Sequence, residues 1–331
     1  MALQKWSLKT TPQHQGQRLD DVLVAWLPSV LKQPVSKGKA RKLIIAGAVY
    51  LNGKRVRIAS KSILAQVQIQ VFLDLNRLNS EDTQKDRLFK MSADRIVFED
   101  EHLIVINKPP GLPTQPTVDE SRDNLFAAVK KFLAARQGIP VGQFYLGLHH
   151  RLDRDTSGVI LMTKTKEANP GVAELFKGHE ITKVYNALSG IKRPPPSPEW
   201  EIKNYLGRSP ASGKKNSFCS VRSGGDFAHT QFRLIENLGA AYWIEARPLT
   251  GRTHQIRVHL SEDQMPILGD PTYLSPDRGA PRLMLHAVSL TFTHPILKTK
   301  IVVQSPLPED FNQCLKTLRQ RGRDSGRKPL S

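Results

Sequence analysis

The chain has 331 residues, 39% of them hydrophobic, which is enough for a buried core in two domains or in one large domain with a small appendage. Lys and Arg number 49 against 30 Asp and Glu, so the formal net charge is +19 at pH 7 and we expect a polyanionic partner, with nucleic acid favoured over a generally basic soluble protein. The two distant cysteines, Cys219 and Cys314, argue against a disulfide framework and a structural zinc site, and no apolar run is long enough to span a bilayer.

Residues 1–75 are predicted to form a first, small unit that combines helices with a hairpin. Apolar residues recur at helical spacing over residues 18–27, and we expect Pro28 to stop that helix. Ser36 is the predicted N-cap of a second helix over residues 37–46, because its hydroxyl can accept a hydrogen bond from the first turn. The unit is therefore expected to have a small α/β fold.

The second helix and the hairpin after it carry cations of one sign. Gly47 suits the end of the helix, and Asn52–Gly53 suits the turn of the hairpin. A run of charge is usually only a solvated face, but here no acidic residue interrupts it across two adjoining elements, which favours a surface that follows nucleic-acid phosphates. The residues predicted to bind there are Lys37, Lys39, Arg41, Lys42, Lys54 and Arg55, with Arg57 beside them.

The segment from Ser36 to Val56 fits the pattern SKxxARKLIxxGxVxLNGKxV. This pattern resembles the S-four-type RNA-binding module found in ribosomal proteins and in several RNA-modifying enzymes. The resemblance covers roughly the first quarter of the chain. It implies that the first unit binds RNA.

Residues 76–92 are polar, mixed in charge and without hydrophobic periodicity, which predicts a linker. A second unit is predicted over residues 93–312, where helices over residues 125–136 and 167–177 interrupt a series of short apolar strands. This mixture predicts an α+β fold with a mainly antiparallel mixed sheet.

Two later stretches are expected to lie outside this regular fold. Residues 192–216 contain three consecutive prolines and a Ser-Gly-Lys-Lys segment, which predicts a surface insertion. Residues 313–331 form a predicted basic tail, expected to be disordered at least in part from Leu315 onward and to add RNA affinity. Within the predicted helix over residues 167–177, Pro170–Gly171 stands where a continuous helix is more usual.

The segment over residues 150–158, HRLDRDTSG, places carboxylates beside arginines before the apolar run of residues 159–162. An isolated aspartate most often caps a turn, and Asp155 suits that role better than Asp153, which has no obvious local backbone donor. Neighbouring cations keep a carboxylate ionised and can also hold a polyanion. The pattern therefore indicates nucleophilic chemistry on nucleic acid, with Asp153 as the candidate nucleophile.

Three further segments carry candidate site residues: NKPPGL over residues 107–112, KVYNA over residues 183–187 and GRTHQIRVH over residues 251–259. Taken alone, Lys108 fits a structural turn with an exposed lysine, and Tyr185 fits the core of a strand. The alternation around Arg257 predicts a strand with one polar face. His254 and His259 do not have the spacing of a known metal motif, and no third ligand is apparent, so we predict no metal site.

With HRLDRDTSG, these segments resemble in order and spacing the signature motifs of the RluA-type pseudouridine synthases, over about residues 96–308. The resemblance implies that Asp153 adds to the sugar or the base of the target nucleotide. It also implies that Arg257 pairs with Asp153 and that Tyr185 stacks against the target base, with its part in moving the C5 proton left open. Such an isomerisation needs no cofactor.

The resemblance also assigns residues that contact RNA or support the site. Arg151 is expected to fill the gap left by a base flipped out of the RNA stack, with His150 packed nearby. Lys108 is expected to support the catalytic loop and is counted with the RNA-binding residues. A structured RNA is the predicted partner.

Large-subunit ribosomal RNA is the expected target, and transfer RNA is the alternative substrate. A non-catalytic RNA-binding factor in ribosome assembly is an alternative of another class, whereas a DNA-binding regulator lacks any supporting motif. The N-terminal residues lack a signal-peptide pattern, so we expect a cytoplasmic protein, and the absence of heptads makes a monomer the expectation.

Overall fold

A computed structural model describes residues 4–73, 89–116, 123–190, 193–209, 217–273 and 279–325. Packing divides these residues into two units. The first contains residues 4–73, and the second contains residues 89–115 and the described residues from 124 onward. Most of the predicted linker lies outside the described residues, but Met91 near its end is buried in the core of the second unit.

The first unit has two helices and four strands: β1 (Gln4–Lys9), α1 (Leu19–Leu31), α2 (Lys37–Ile45), β2 (Val49–Leu51), β3 (Lys54–Val56) and β4 (Gln68–Leu73). The strands form one antiparallel sheet in the order β1-β4-β2-β3. Apolar side chains from the helices and the sheet meet in one core, which includes the fully buried Leu23, Ile44 and Val71. The α/β expectation for this unit is confirmed.

The prediction that Pro28 stops the first helix is wrong, because α1 continues to Leu31. A proline inside a helix removes one backbone hydrogen bond. Leu27, just before it, is fully buried in the core, so packing holds the helix through that turn. The helix instead ends at Lys32, which adopts the left-handed conformation.

The other local signals in this unit are confirmed. Ser36 caps α2 by accepting a hydrogen bond of 3.2 Å from the backbone N–H of Lys39. Gly47 follows α2 with a φ of +79°, and Asn52 and Gly53 both have positive φ angles in the turn between β2 and β3.

The second unit is built on one mixed sheet. Its strands are β5 (Ile96–Glu99), β6 (Leu103–Lys108), β7 (Gly147–Leu148), β8 (Ser157–Thr163), β9 (Thr182–Gly190), β10 (Glu199–Arg208), β11 (Phe218–Ser220), β12 (Asp226–Asn237), β13 (Ala241–Pro248), β14 (Leu285–Thr293) and β15 (Lys300–Gln304). Its helices are α3 (Leu125–Arg136), α4 (Ala168–Lys177), α5 (Gln255–Glu262) and α6 (Glu309–Ser325).

The sheet runs in the order β11-β10-β12-β13-β9-β14-β8-β6-β5, with β15 beside β14 and β7 beside β8. Among the described strands, only the pair of β8 with β14 is parallel. The predicted α+β fold with a mainly antiparallel mixed sheet is confirmed.

Ala287 on β14 aligns the centre of this sheet. It lies opposite Gly158 at the start of β8 and opposite Tyr185 on β9. Gly158 has a φ of +116°, and a Cβ atom there would lie 2.1 Å from the carbonyl oxygen of Ala287. Glycine therefore allows β8 to approach β14 at this point, and that approach sets the loop before β8 relative to Tyr185.

The prediction of a surface insertion over residues 192–216 is wrong for residues 199–208. These residues form β10, which pairs with β11 and β12 inside the sheet. Trp200 and Ile202 pack against an apolar core, as alternate residues of a strand do. The preceding prolines dominate the local sequence and hide this alternation, while residues 191–192 and 210–216 lie outside the described residues.

One expectation about the C-terminal tail needs correction. The chain is helical from Glu309 to Ser325, so the expected disorder does not hold for residues 315–325, because Leu315 and Leu318 are buried in the same core as Trp200. The residues after 325 lie outside the described part.

The helix predicted over residues 167–177 is confirmed as α4. Pro170–Gly171 does not interrupt it, since the first turn of a helix contains N–H groups without helical partners and tolerates proline.

We expect Gly158→Ala to lower the free energy of unfolding by more than about 2 kcal/mol, because the new methyl group strains the backbone and collides with Ala287. Urea denaturation measures this change. Gly138→Ala is the matched control, since Gly138 also has a positive φ, of +68°, but has open space around its Cβ position. Equal losses in the two variants would show that the close approach of β8 to β14 is not what requires glycine.

Candidate active site

A cavity of about 600 Å³ opens in the second unit. The HRLD loop between β7 and β8, Tyr185 on β9 and the segment of residues 250–257 line it. Among the described residues that line this cavity, Asp153 carries the only carboxylate, whereas Arg151, Lys177, Lys183, Arg252 and Arg257 contribute cations. The cavity therefore combines one anionic group with surroundings that attract phosphates.

Asp153 and Arg257 form the ion pair that the family resemblance implied. Nη1 of Arg257 donates to Oδ2 of Asp153 over 2.9 Å, and the Asp153 side chain is 19% exposed at the cavity. Nε2 of His254 lies 3.7 Å from the same oxygen. The turn is closed by Thr156 N–H donating to the backbone carbonyl of Asp153, and Asp155 pairs with Arg154 rather than capping the turn as expected.

Arg257 lies in the first turn of α5, so the predicted strand at this motif is a helix. Ile256 and Val258 alternate as in a strand, but Ile256 and Leu260 are also spaced as on one helix face, and both pack into the core. So short a segment fits both the two-residue period of a strand and the 3.6-residue period of a helix, which explains the wrong assignment.

Asp270 holds Arg257 in place and was not identified from the sequence. Its two carboxylate oxygens accept hydrogen bonds of 2.8 and 2.9 Å from Nε and Nη2 of Arg257. The Asp270 side chain is fully buried, and its Oδ1 also accepts from the backbone N–H groups of Thr272 and Tyr273. The sequence signal was weak, because an aspartate before proline after glycine indicates only a turn.

Two carboxylates therefore share one guanidinium. Burial on its own would lower the pKa of Arg257, but the hydrogen bonds and negative charges of Asp270 and Asp153 together raise it above its ordinary value. Arg257 is therefore a cation at neutral pH. Tyr273 packs its ring 5.1 Å from the guanidinium carbon.

Tyr185 lines the cavity from β9, as implied. Burial, and then the negative charge of Asp153, raise its pKa above the ordinary value, so its hydroxyl stays protonated. On the same strand, Lys183 donates to the carbonyl of Thr250 over 3.2 Å, and burial lowers the pKa of Lys183 to about 8.

Lys108 does not bind RNA directly, because it is fully buried. Its ammonium group donates to the carbonyls of Pro109, Leu112 and Arg154 over 2.8 to 2.9 Å. The bond to Arg154 ties it to the residue after Asp153, which fits the expected support of the catalytic loop. Burial lowers the pKa of Lys108 to about 7, although the nearby charges of Asp155 and Asp153 oppose this.

His150 and Arg151 face different surroundings. Nε2 of His150 accepts a hydrogen bond of 2.9 Å from the backbone N–H of Leu161, and its ring stacks on Phe176 at 4.6 Å. Burial lowers the pKa of His150 to about 3, so the ring is neutral and its Nε2 is engaged by the protein. Arg151 is exposed at the cavity, where it can reach a bound nucleic acid.

The cations of the first unit are less uniform than the sequence suggested. Asp20 and Asp21 of α1 lie against α2, where Arg41 donates to the buried Asp20 over 2.7 Å and Lys37 lies 2.5 Å from Asp21. Arg41 thus stabilises the buried carboxylate of Asp20, and this contact partly neutralises the positive charge of Arg41. Lys39 and Lys42 are half-buried, and Lys54 and Arg55 are exposed on the hairpin, where Arg55 donates to the hydroxyl of Tyr50.

Metal-ligating side chains are scattered in the described part of the chain: no three His, Cys, Asp or Glu side chains there are grouped so as to hold a metal ion. No helix found there is both long enough and apolar enough to cross a bilayer.

Comparison with known proteins connects both units to RNA modification. Residues 102–262 match the family model described as RNA pseudouridylate synthase, and residues 17–69 match the S4 domain. The chain is 31% identical to ribosomal large subunit pseudouridine synthase C of Vibrio vulnificus (strain CMCP6), with 92% of this chain and 93% of that protein covered. It is 32% identical to ribosomal large subunit pseudouridine synthase D of Zymomonas mobilis, with 92% and 94% covered.

A solved structure, human RNA pseudouridylate synthase domain containing 4, is similar with a TM-score of 0.53 and 27% identity, over 74% of this chain and 98% of that one. The similarity in sequence extends over nearly the whole chain and includes the cavity and the module before it. The resemblance seen in the motifs is confirmed: the chain belongs to the RNA pseudouridylate synthase family and is an RNA-modifying isomerase with an S4 domain.

Proposed function

We propose that the protein converts specific uridines of large-subunit ribosomal RNA to pseudouridine, with Asp153 as the nucleophile. The observation that carries the proposal is the position of Asp153, paired through Oδ2 with Arg257, in a basic cavity beside Tyr185. The names of the relatives in Vibrio vulnificus and Zymomonas mobilis support the ribosomal target. The net charge of +19 and the S4 domain support a large, structured RNA.

Asp153 has one oxygen available for attack. Within the described part of the chain, the hydrogen bond from Arg257 engages Oδ2, and no described donor engages Oδ1. In the proposed reaction, a carboxylate oxygen adds to the sugar C1′ or to the base of the target nucleotide. The N-glycosidic bond breaks, the uracil turns in the cavity, and a bond between C5 and C1′ forms as the carboxylate is released.

Tyr185 is proposed to stack on the turning base and to take part in removing the C5 proton. Because the raised pKa keeps its hydroxyl protonated, the resting side chain is a phenol and not a phenolate. The phenol can therefore take the C5 proton only as it gives up its own hydroxyl proton. N1 of the uracil, which loses its bond to C1′, gains a proton, so the proton lost from C5 is balanced and the composition of the RNA is unchanged.

Asp270 is proposed as a positioning residue for Arg257. A guanidinium that bonds only Asp153 is free to rotate about its long side chain. The two hydrogen bonds to Asp270 fix its plane and leave Nη1 directed at Oδ2 of Asp153. Asp270 also supplies a second negative charge to the guanidinium. The positive charge of Arg257 is therefore shared between two carboxylates and does not act on Asp153 alone.

We expect purified wild-type protein to form pseudouridine in an unmodified transcript of large-subunit ribosomal RNA. Asp153→Asn should reduce the rate by about a thousandfold or more, because an amide cannot act as the nucleophile. Mass spectrometry of nuclease fragments measures the product. The control is Asp155→Asn, which removes the same charge from the same loop and should retain most of the activity.

Transfer RNA transcripts serve as the comparison substrate in this assay. Modification of transfer RNA but not of the ribosomal transcript would reject the proposed target. Full activity of Asp153→Asn would reject the nucleophile.

We expect Asp270→Asn to lower the rate at saturating RNA on the order of tenfold to a hundredfold with little change in RNA affinity, because it loosens Arg257 without touching the substrate. A double-mutant cycle with Arg257→Ala tests the route of this effect. If Asp270 acts through Arg257, Asp270→Asn should add little loss in the Arg257→Ala background. Losses that multiply in full would show that Asp270 acts on its own.

A further inference from the structure

The imidazole of His254 lies beside Asp153 in the catalytic cavity. Its Nε2 is 3.7 Å from Oδ2 of Asp153, which is too far for a hydrogen bond. The His254 side chain is 17% exposed, and within the described part of the chain its hydrogen bond is made by the other ring nitrogen, Nδ1. The Nε2 edge of the ring is therefore open to a molecule bound in the cavity.

The opposite edge of the ring is held by Tyr273. The hydroxyl oxygen of Tyr273 lies 2.9 Å from Nδ1 of His254 and accepts a hydrogen bond of 2.9 Å from the backbone N–H of Phe218. Among the described residues, the contacts of this hydroxyl include no acceptor for its own proton except Nδ1. The hydroxyl therefore donates to Nδ1, and the proton of the neutral imidazole lies on Nε2.

The surroundings keep this ring neutral at neutral pH. Burial lowers the pKa of His254 and outweighs the negative charge of Asp153, which acts in the opposite direction. The charges of Arg257 and Arg151 also lower the pKa, whereas that of Asp270 raises it. A neutral ring with its proton on Nε2 can donate a hydrogen bond into the cavity but cannot accept one there. This excludes a role for Nε2 as a base.

The backbone at His254 has a conformation that residues other than glycine rarely adopt. His254 immediately precedes α5 and has a φ of +58°, in the left-handed region. Its ring makes edge-to-face contacts with Phe218 and Tyr273, each with centroids 5.7 Å apart. Strained backbone of this kind persists where surrounding contacts fix it, and it is concentrated at functional sites.

A histidine held in this way could serve only as packing, but packing does not require a polar N–H group facing the cavity beside Asp153. The proposed reaction gives that group a function. Whether Asp153 adds to C1′ or to the base, the negative charge leaves the carboxylate and reaches the uracil, where the carbonyl oxygens share it. A fixed N–H donor stabilises a transition state most when it faces the atom on which charge develops.

We propose that the Nε2–H group of His254 donates a hydrogen bond to a carbonyl oxygen of the target uracil and stabilises the negative charge that this oxygen gains as Asp153 adds. The inference rests on the proposed function. It makes His254 a catalytic residue that transfers no proton itself. Tyr273 is a positioning residue, because it acts by fixing which nitrogen of His254 carries the proton.

Two substitutions that differ by one methylene group test this role. In His254→Gln the side-chain amide reaches about as far as Nε2, whereas in His254→Asn it reaches only as far as Nδ1, and asparagine tolerates the left-handed conformation. We expect His254→Asn to lower kcat on the ribosomal transcript about a hundredfold with little change in KM. His254→Gln should retain most of the activity. Unchanged kcat in His254→Asn, or equal losses in the two folded variants, would overturn the proposal.

Sulfur in place of a uracil carbonyl oxygen tests the contact with the substrate. Transcripts with 2-thiouridine or 4-thiouridine at the target position carry a weaker acceptor at one carbonyl each. We expect one of the two to lower kcat for the wild-type chain by about tenfold, and to have little further effect in His254→Asn, because the donor is already missing. Sulfur effects that are the same in both chains would show that His254 does not contact the uracil. Urea denaturation shows whether each variant folds, and His254→Ala replaces His254→Asn if that variant does not fold.

The position of the ring proton is measured without RNA, by ¹⁵N NMR of the full chain labelled at histidine. Two other rings are internal references. Nε2 of His150 and Nδ1 of His294 each accept from backbone N–H groups, so their protons lie on Nδ1 and on Nε2, respectively. The signal missing from the spectrum of His254→Gln assigns His254. At neutral pH we expect His254 to resemble His294, and to become a mixture of the two forms in Tyr273→Phe. A signal like that of His150 would overturn the proposal.

Failure of this inference differs from failure of the proposed function. A wild-type chain that forms no pseudouridine in the ribosomal transcript overturns the proposed function, even if the proton of His254 lies on Nε2. A chain that forms pseudouridine at a rate independent of His254 overturns the role of His254 alone.

Discussion

One guanidinium, that of Arg257, connects the carboxylate of Asp153, the proposed nucleophile, to the rest of the protein. Nη1 bonds Asp153, while Nε and Nη2 bond the buried Asp270. A buried cation is costly unless its charge is compensated, and here two carboxylates compensate it. The arrangement lets the charged carboxylate of Asp153 remain partly exposed at the edge of the cavity.

Three parts of the sheet must be aligned to bring Asp153 and Tyr185 to one cavity. Asp153, the proposed nucleophile, lies in the loop before β8, Tyr185 lies on β9, and Ala287 on β14 is opposite both Gly158 and Tyr185. The close approach of β8 to β14 at Gly158 is therefore a condition of the site as well as of the fold. Lys108 adds a second restraint, because its buried ammonium ties the end of β6 to the carbonyl of Arg154 in the catalytic loop.

The family motifs predicted which residues meet at the site better than the sequence predicted their local structure. Asp153 and Arg257 are 104 residues apart, and their pairing followed from the family motifs, since no local pattern connects them. The alternation around Arg257 favoured a strand, because so short a segment fits both the two-residue period of a strand and the 3.6-residue period of a helix. In the structure the segment is a helix, α5, with buried residues on several of its sides. Pro28 and the prolines before β10 misled for a related reason, since core packing overrides local preference.

Asp270 shows what a single sequence does not contain. It has no distinctive neighbour in the chain, and its role comes from a guanidinium 13 residues away. For Lys108 the motif implied support of the loop that holds Asp153, but neither its burial nor its bond to the carbonyl of Arg154, 46 residues away. The neighbours of a strand depend in the same way on its register, which alternation alone does not determine.

The most direct test of Asp153 as the nucleophile is a transcriptome-wide map of pseudouridine in cells that lack this protein, complemented with the wild-type chain or with Asp153→Asn. We expect one or more sites in large-subunit ribosomal RNA that the wild type restores and the variant does not. Sites restored equally by both would contradict Asp153 as the nucleophile. An unchanged map in cells without the protein would contradict the proposed activity and favour a role in which RNA binding alone matters.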